Sequence, residues 1–254
     1  MRFRLILGCF LAISMALWGI AFGADKIIYS QDFDELDDGD IHGQDGWESI
    51  DSLTAGLGSL TVQGGVTLTG SGKALQAEAF QETHIKWPEP VETGTCYLSI
   101  FFRKENVDAG NTLHIYMGKG ALAWSAGPVV RIGSQSGGGL DEVGVHDGAD
   151  DVIVQPAKYK IGKWHHIREV IDVDKMSFEI FFDGKNVGKF DFRNASHTTI
   201  EWLMIGFDEG IGLLGYYDAI EFGLGTGEQA FTRATPVESA GKLGTTWGTV
   251  KGGY

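Results

Sequence analysis

The amino-acid sequence predicts an all-β protein, an antiparallel sandwich of two β-sheets, on three observations. Roughly twelve to fourteen short segments alternate apolar and polar residues, with turn-forming residues between them at intervals of about 8–12 residues. After the apolar N-terminal stretch, no long segment repeats apolar side chains with the period of a helix. Glycine is frequent, at 38 of 254 residues, and proline is rare, at 5, which suits tight turns between short strands.

The clearest alternation lies between residues 163 and 192 and predicts three consecutive strands. These strands are Lys163–Asp172, Ser177–Phe182 and Asn186–Phe192. The pair Asp183-Gly184 separates the second strand from the third, and both residue types accept the positive φ angles of a two-residue β-turn. The sequence therefore predicts a β-hairpin at this point.

The N-terminus has the pattern of a secretory signal peptide. Arg2 and Arg4 precede the apolar run Leu5–Phe22, and the small residues Ala21 and Gly23 predict cleavage after Gly23, with cleavage after Ala24 as the close alternative. An uncleaved membrane anchor is the alternative, because the apolar run has about 18 residues, near the lower limit for a membrane span. With cleavage, we expect a secreted protein that is extracellular, periplasmic or on the cell surface, without membrane association.

Three segments follow from these patterns: a signal peptide at residues 1–23, one β-domain at residues 24–224 and a tail of low order at residues 225–254. The tail is rich in glycine and threonine and shows little alternation. Of the two cysteines, Cys9 leaves with the signal peptide, so the mature chain has no internal disulfide. The remaining Cys96 lies in a strand pattern, and we expect it to be a buried apolar residue.

The chain is strongly acidic, with a formal net charge of −14. Removal of Arg2 and Arg4 with the signal peptide leaves 18 basic and 34 acidic residues, a charge of −16. Such a surface argues against nucleic-acid binding, which requires cationic contacts to phosphates. It is compatible with a divalent cation and equally with a surface that is charged only for solubility.

Three patterns, taken together over about residues 26–223, resemble the concanavalin A-like lectin and glucanase superfamily and within it the laminin-G-like branch. They are Asp32-Phe33-Asp34 with Ile41–Trp47, then Gly162–Ile167 with Phe178–Lys185, and finally Gly215–Phe222. The resemblance implies a jelly roll with one convex and one concave sheet. Proteins of this superfamily often bind glycans or proteins, and they often hold a structural Ca²⁺ ion.

A calcium site is predicted where the first and last strands of the domain meet. These strands should be neighbours in a closed sandwich, which brings Asp32 or Asp34 near Asp218. Ca²⁺ takes carboxylate and carbonyl oxygens in flexible geometry, so backbone carbonyls would complete the site. A solvated acidic loop without a metal is the alternative.

Glycan binding requires aromatic faces and a few polar groups for hydroxyls. The residues considered for this role are Trp87, Trp124, Trp202, Tyr97, Tyr116 and Arg131. Trp124 lies in a loop of small residues and is the aromatic expected to be exposed, whereas Trp47 and Trp164 are expected in the core. We expect the ligand to be a polysaccharide, a glycoconjugate or a surface protein, contacted by Arg103, His114, Tyr116, Trp124 and Arg131.

The sequence favours a non-catalytic binding module over an enzyme. The Glu-x-Asp-x-Glu strand of laminarinase-type members of the superfamily is absent. A polysaccharide lyase or glycoside hydrolase that uses the concave face remains the alternative, because Arg103, His114 and Tyr116 could share one face and support β-elimination. A structural cell-surface or matrix module that attaches through its tail is a third possibility.

Overall fold

The computed structural model of the chain describes residues 25–49, 58–78, 81–106, 112–119, 127–133, 141–148, 152–194, 198–207 and 214–230. The predicted signal peptide, Trp124 and residues 231–254 of the predicted tail lie outside these ranges. Within them, no helix is long and apolar enough to cross a membrane.

Sixteen strands occur in the described ranges. They are β1 (Lys26–Gln31), β2 (Gly39–Asp40), β3 (Trp47–Ser49), β4 (Thr61–Gln63), β5 (Ala74–Glu78), β6 (Glu82–Val91), β7 (Thr95–Lys104), β8 (Leu113–Gly118), β9 (Val129–Ile132), β10 (Glu142–Asp147), β11 (Val152–Lys158), β12 (Trp164–Asp172), β13 (Ser177–Phe182), β14 (Lys185–Asp191), β15 (Ile200–Phe207) and β16 (Leu214–Leu224).

The described strands form two antiparallel sheets, which confirms the predicted two-sheet β-sandwich. The nine-stranded sheet has the order β14-β13-β12-β7-β16-β5-β4-β2, with β1 paired to β16 beside β5. The seven-stranded sheet has the order β11-β10-β9-β8-β15-β6-β3. The first and last strands are neighbours, as the sequence predicts.

The predicted hairpin joins β13 to β14. Asp183 and Gly184 have φ angles of 47° and 78°, so both occupy the left-handed region that a two-residue turn of this kind requires. The strand pairs run from Phe182 opposite Lys185 to Ser177 opposite Asp191, with a register shift after Ile180. The turn chemistry thus sets the register of the sheet edge.

The apolar core lies between the two sheets and follows the alternation of the strands. On β7 the inward residues include Leu98, Ile100 and Phe102, all with 0% exposure, and Cys96 is equally buried, as predicted. Trp47 also lies in the core, but Trp164 does not. On β12 the inward residue at this point is His165, so Trp164 points outward and is only half-buried, and the prediction that it packs in the core is wrong.

A tyrosine bridges the two sheets and fixes the strands that carry the candidate site. The Tyr217 hydroxyl, on β16 of the nine-stranded sheet, lies 2.8 Å from the His114 carbonyl oxygen and 3.0 Å from that of Gly206. These acceptors belong to β8 and β15 of the other sheet. A fully buried phenol with good partners stabilises one alignment of the two sheets.

Residues 225–230 continue from β16 along the nine-stranded sheet. The backbone amides of Thr226 and Gly227 donate to Asp25 Oδ1 at 3.0 and 3.2 Å, and the Arg168 guanidinium donates to the Thr226 carbonyl. Ala230 is 3% exposed. The domain boundary at residue 224 stays a prediction, but the described chain remains packed to Ala230.

Candidate functional site

Three of the predicted ligand-binding residues lie together on the outward face of the seven-stranded sheet, the side that points away from the other sheet. On β8, Leu113, Ile115 and Met117 point into the core, so His114 and Tyr116 point outward. Arg131 is the cross-strand partner of His114 on β9. The alternation of the strands and the antiparallel register therefore place His114, Tyr116 and Arg131 in one cluster.

This His114–Tyr116–Arg131 cluster is mostly enclosed. The rings of His114 and Tyr116 stack with centroids 4.3 Å apart, and the Arg131 guanidinium carbon lies 5.7 Å from the Tyr116 ring centre. His114 is 0% and Tyr116 is 2% exposed, while Arg131 is half-buried. Imidazole and phenol thus pack as an aromatic pair with a cation above it.

His114 is held in its neutral form. Burial lowers its pKa to about 3, and the neighbouring positive charge of Arg131 acts in the same direction. Its Nε2 atom lies 3.3 Å from Glu82 Oε1 without a well-formed hydrogen bond, and Nδ1 has no hydrogen-bond partner in the described part of the chain. A buried polar atom without a hydrogen-bond partner lowers the stability of the folded state. The fold therefore leaves part of the hydrogen-bonding capacity of His114 unused.

Next to this cluster, Trp202 forms an accessible surface on the same face. Trp202 is half-buried, and its cross-strand partner on β8 is Gly118, which has no side chain to cover the indole. On the other side, Lys86 Nζ lies 5.7 Å from the indole centre and 2.8 Å from Glu201 Oε1. We call Trp202, Lys86 and Glu201 the Trp202 surface.

The His84 ring, on the neighbouring strand β6, packs against the indole of Trp202. His84 and Trp202 have ring centroids 4.9 Å apart, and His84 is only 5% exposed. Its Nε2 atom lies 3.4 Å from Glu48 Oε2 on the edge strand β3. Burial lowers the pKa of His84, while Glu48 opposes this shift. The indole therefore rests on a packed, neutral ring and is fixed in orientation.

Arg103 lies elsewhere. It is on β7 of the nine-stranded sheet and points to the outward side of that sheet, with its Nε atom 2.5 Å from Glu105 Oε1. The expectation that Arg103, His114 and Tyr116 share one face is therefore wrong, because β7 and β8 belong to different sheets. The other aromatic residues considered for stacking, Trp87 and Tyr97, are 1% and 0% exposed.

The three predicted metal ligands line one pocket of about 230 Å³ beside β1 and β16. The pocket also contains Glu221, and we call Asp32, Asp34, Asp218 and Glu221 the acid pocket. Two residues in the left-handed conformation shape it, Phe33 with a φ of 65° and Ala219 with a φ of 47°. Strained backbone of this kind occurs often at functional sites. The β16 register shifts between Asp218 and Glu221, so both carboxylates reach the pocket.

Asp218 is the buried member of the acid pocket, at 5% exposure. The backbone amides of Leu68 and Ala219 donate to its two oxygens at 2.9 and 2.7 Å. Burial raises the pKa of Asp218 to about 7, and the charges of Asp34 and Asp32 add to that shift despite the two hydrogen bonds. Like charges gathered around one cavity repel each other, and a bound cation would relieve that repulsion.

The acid pocket does not have the geometry of a formed metal centre. Across the described ranges, no three histidine, cysteine, aspartate or glutamate side chains are spaced to hold a metal ion together. Asp34 Oδ1 accepts a hydrogen bond from the Lys73 amide at 2.7 Å, and the Lys73 ammonium lies 3.2 Å from Asp38. The sequence predicted that these acids would converge, and the structure places them around one cavity.

Comparison with known proteins identifies the fold. No protein-family model matches the sequence, and no curated protein matches it. The structure is similar to a sialidase with a TM-score of 0.56 and 15% identity, covering 81% of this chain but 19% of the sialidase chain. It is similar to the globular domain of T. cruzi calreticulin with a TM-score of 0.55 and 12% identity, covering 82% of this chain and 93% of that one.

A third similar structure is domain 4 of AbnA, a GH43 extracellular arabinanase from Geobacillus stearothermophilus, in complex with arabinotriose. Its TM-score is 0.52 with 15% identity, covering 83% of this chain and 99% of that one. At these identities the similarities establish the β-sandwich fold alone, because one fold supports many functions.

Proposed function

We propose that this chain is a secreted, non-catalytic β-sandwich module of the laminin-G-like branch that binds a glycan on the outward face of the seven-stranded sheet. A calcium ion in the acid pocket is part of the proposal. The observation that supports this proposal most directly is the Trp202 surface, where a half-buried indole lies opposite a glycine and beside a lysine–glutamate pair. An oriented aromatic face beside polar groups suits the apolar face and the hydroxyls of a sugar.

The surroundings of Trp202 support this proposal. The His84 ring contacts the indole from the neighbouring strand β6, and the His114–Tyr116–Arg131 cluster lies in the adjacent rows of the same face, with Arg131 half-buried. Preorganised side chains reduce the entropy that binding removes. Domain 4 of AbnA, which has this fold, was solved with arabinotriose, and this supports a saccharide as the ligand class.

The acid pocket supports the calcium part of the proposal through its donor set. Asp32, Asp34 and Asp218 would supply carboxylate oxygens, which are the ligands that Ca²⁺ prefers. Their spacing does not yet form a coordination shell, so we expect side-chain rearrangement when the ion binds. The ion would lock the loops around Asp34 and Leu68 to β16 and thereby stabilise the sandwich.

The alternative enzyme has one favourable feature and one unfavourable feature. The neutral His114 imidazole could accept a proton, and Arg131 could neutralise a uronate carboxylate during β-elimination. However, His114 is 0% exposed, so a substrate carbon does not reach its Nε2 atom in this arrangement. Binding without catalysis is therefore the function that the geometry supports best.

A glycan array combined with an activity screen tests the proposal. The purified protein is applied to neutral and acidic glycans with calcium present, and the same glycans are incubated with it and analysed for new reducing or unsaturated ends. We expect binding to a restricted set of glycans without cleavage. Cleavage products would favour the enzyme, and absence of binding to the whole array would contradict the proposed function.

A further inference from the structure

A row of polar and aromatic side chains crosses the outward face of the nine-stranded sheet, perpendicular to the strands. Its members are cross-strand partners on five neighbouring strands, Thr61 on β4, Gln76 on β5, Tyr216 on β16, Arg103 on β7 and Trp164 on β12. We call these five residues the polar row. Their chain neighbours Val62, Leu75, Tyr217, Phe102 and His165 point inward, so all five side chains point away from the core.

The side chains of the polar row are held by contacts outside the row. Arg103 Nε lies 2.5 Å from Glu105 Oε1, and Gln76 Nε2 lies 2.8 Å from Glu78 Oε1. The Trp164 indole nitrogen donates to the Thr67 carbonyl at 3.1 Å. These contacts fix the orientation of the guanidinium, the amide and the indole before any ligand arrives, which lowers the entropic cost of binding.

The chemistry of the row matches hydroxyl groups. Arg103 offers donors, Glu78 and Glu105 offer acceptors, and Gln76 offers both. Burial raises the pKa of Tyr216, so its phenol keeps a proton to donate. A sugar hydroxyl both donates and accepts, and it meets suitable partners along the whole row.

The row also provides an apolar contact. Trp164 is half-buried, with its ring centre 6.4 Å from that of Tyr216, which is 5% exposed. Four steps between neighbouring strands span about 19 Å, which is long enough for an oligosaccharide of several units. The net charge of −14 and the flanking Glu78 and Glu105 disfavour a polyanionic ligand.

We propose that the polar row is a second saccharide site, specific for neutral oligosaccharides and independent of the Trp202 surface. Its indole and its hydrogen-bonding groups lie on a different sheet from Trp202, so neither site needs the other to be occupied. One copy of the chain would then contact two glycans, on opposite outward faces. Because the two faces point in opposite directions, such a chain would cross-link two glycan strands and would not bind one flat surface through both sites.

Fluorine NMR of the 5-fluorotryptophan-labelled protein tests this proposal, because each tryptophan gives its own resonance. Arabinotriose, xylotriose and cellotriose serve as separate probes, and single tryptophan-to-phenylalanine variants assign the resonances of Trp164 and Trp202. We expect at least one trisaccharide to shift the Trp164 resonance in the wild type and, with the same affinity, in Trp202→Ala. Arg103→Gln should weaken the Trp164 response about tenfold or more and leave the Trp202 response unchanged, since a hydrogen bond from a charged donor is lost.

Gln76→Ala is the second variant, because Gln76 is half-buried and its replacement spares the Arg103–Glu105 pair. It should also weaken the Trp164 response, and Lys185→Ala, at an exposed position on β14, should not. A Trp202 shift without a Trp164 shift overturns the second site and leaves the proposed function intact. Loss of the Trp164 shift in Trp202→Ala overturns its independence. If neither resonance moves with any probe, the second site is overturned, and the proposed function is then decided by the glycan array alone.

Discussion

Each outward face of the sandwich encloses histidine side chains, and His114 on one face differs from His166 on the other in how the fold satisfies its ring nitrogens. On the seven-stranded sheet, His114 stacks on Tyr116, and neither of its ring nitrogens forms a hydrogen bond within the described part of the structure. On the nine-stranded sheet, the His166 ring packs against Phe101 with centroids 4.6 Å apart and planes tilted by 39°, and its Nε2 atom lies 2.7 Å from Ser99 Oγ. Burial lowers the pKa of both, to about 3 for His114 and about 4 for His166.

The difference indicates that the buried polar groups have different roles on the two faces. The Ser99–His166 pair lies in the middle of a face where Arg168 also bonds the Thr226 carbonyl, so polar groups there serve the packing of residues 225–230. In the cluster around His114, the Nε2 atom, which in His166 pairs with Ser99, has no hydrogen bond in the described ranges and lies near an accessible indole. An incompletely satisfied cluster beside an aromatic surface favours a ligand-binding role for the seven-stranded sheet.

Of the substitutions that test this contrast, His114→Gln should have the largest effect, and the quantity it changes is the loss of folding stability at low pH. Its folded-state pKa of about 3 lies below the value of 6.5 for an exposed histidine, so the wild type loses stability as the pH falls from 6.5 towards 3. This loss amounts to about 5 kcal/mol at 1.36 kcal/mol per pKa unit. We expect His114→Gln to reduce the acid-induced loss by that amount, measured by urea unfolding at pH 7 and pH 3. Lys185→Ala, at an exposed position on β14, is the control and should leave the loss unchanged, and an unchanged loss in His114→Gln would contradict this prediction.

His166→Gln should also reduce the acid-induced loss of folding stability, but by a smaller amount than His114→Gln. Burial lowers the pKa of His166 to about 4, with Arg168 adding to the shift and Asp183 opposing it. The stability it contributes is present above pH 6.5 and is lost as the pH falls through 4, which is about 3 kcal/mol. The same urea series measures it. If His166→Gln reduced the acid-induced loss of stability more than His114→Gln does, the prediction that His114 is the more destabilising histidine at low pH would be contradicted.

Calcium should stabilise the nine-stranded side of the molecule. An ion at a concentration one hundredfold above its Kd adds about 2.7 kcal/mol to the free energy of unfolding. We expect melting in calcium instead of EDTA to raise Tm by several degrees, and Asp218→Asn to abolish that rise. Asp37→Asn is the matched control, because Asp37 lies in the same acidic loop but does not line the pocket. Equal Tm values with calcium and with EDTA for the wild type would exclude the proposed ion.

Lys86→Ala should have the smallest effect. The Lys86 side chain is 53% exposed and paired with Glu201, and exposed pairs of this kind contribute little free energy. We expect glycan affinity to fall by about threefold or less, since the indole keeps its support from His84. Titration calorimetry with a glycan identified on the array measures the change. A loss as large as that in Trp202→Ala would show that the ammonium, and not the indole, dominates binding.

Local signals in the sequence predicted much of the fold. Asp183-Gly184 specified the hairpin because few residue pairs accept two positive φ angles. The pairing of the first and last strands followed from the closure of a sandwich. It brought Asp32, Asp34 and Asp218 to one pocket.

The errors have two physical causes, and the first is that alternation fixes sides within a strand but not the sheet to which the strand belongs. Arg103 and His114 both point outward, yet their strands lie in different sheets, so they do not meet. In the segment Trp164-His165-His166, large side chains occupy both sides of the strand, so the pattern did not show that His165, and not Trp164, faces the core.

Other parts of the sites had no sequence signal. Phe33 and Ala219 adopt positive φ without being glycine, so the turns that shape the acid pocket could not be read from residue type. Lys86, Glu82 and Glu201 join the seven-stranded face only through cross-strand register. Trp202 was among the aromatics considered, but its exposure depends on Gly118 being its partner on β8.

Titration calorimetry of Trp202→Ala against the wild type, with a glycan identified on the array, tests the central claim most directly. Ile161→Ala, at an exposed apolar residue outside both sites, is the control. We expect Trp202→Ala to bind about tenfold more weakly or worse, a loss of about 1.4 kcal/mol, while the variant remains folded. Equal affinity in Trp202→Ala and wild type would contradict the claim that the Trp202 surface binds the glycan.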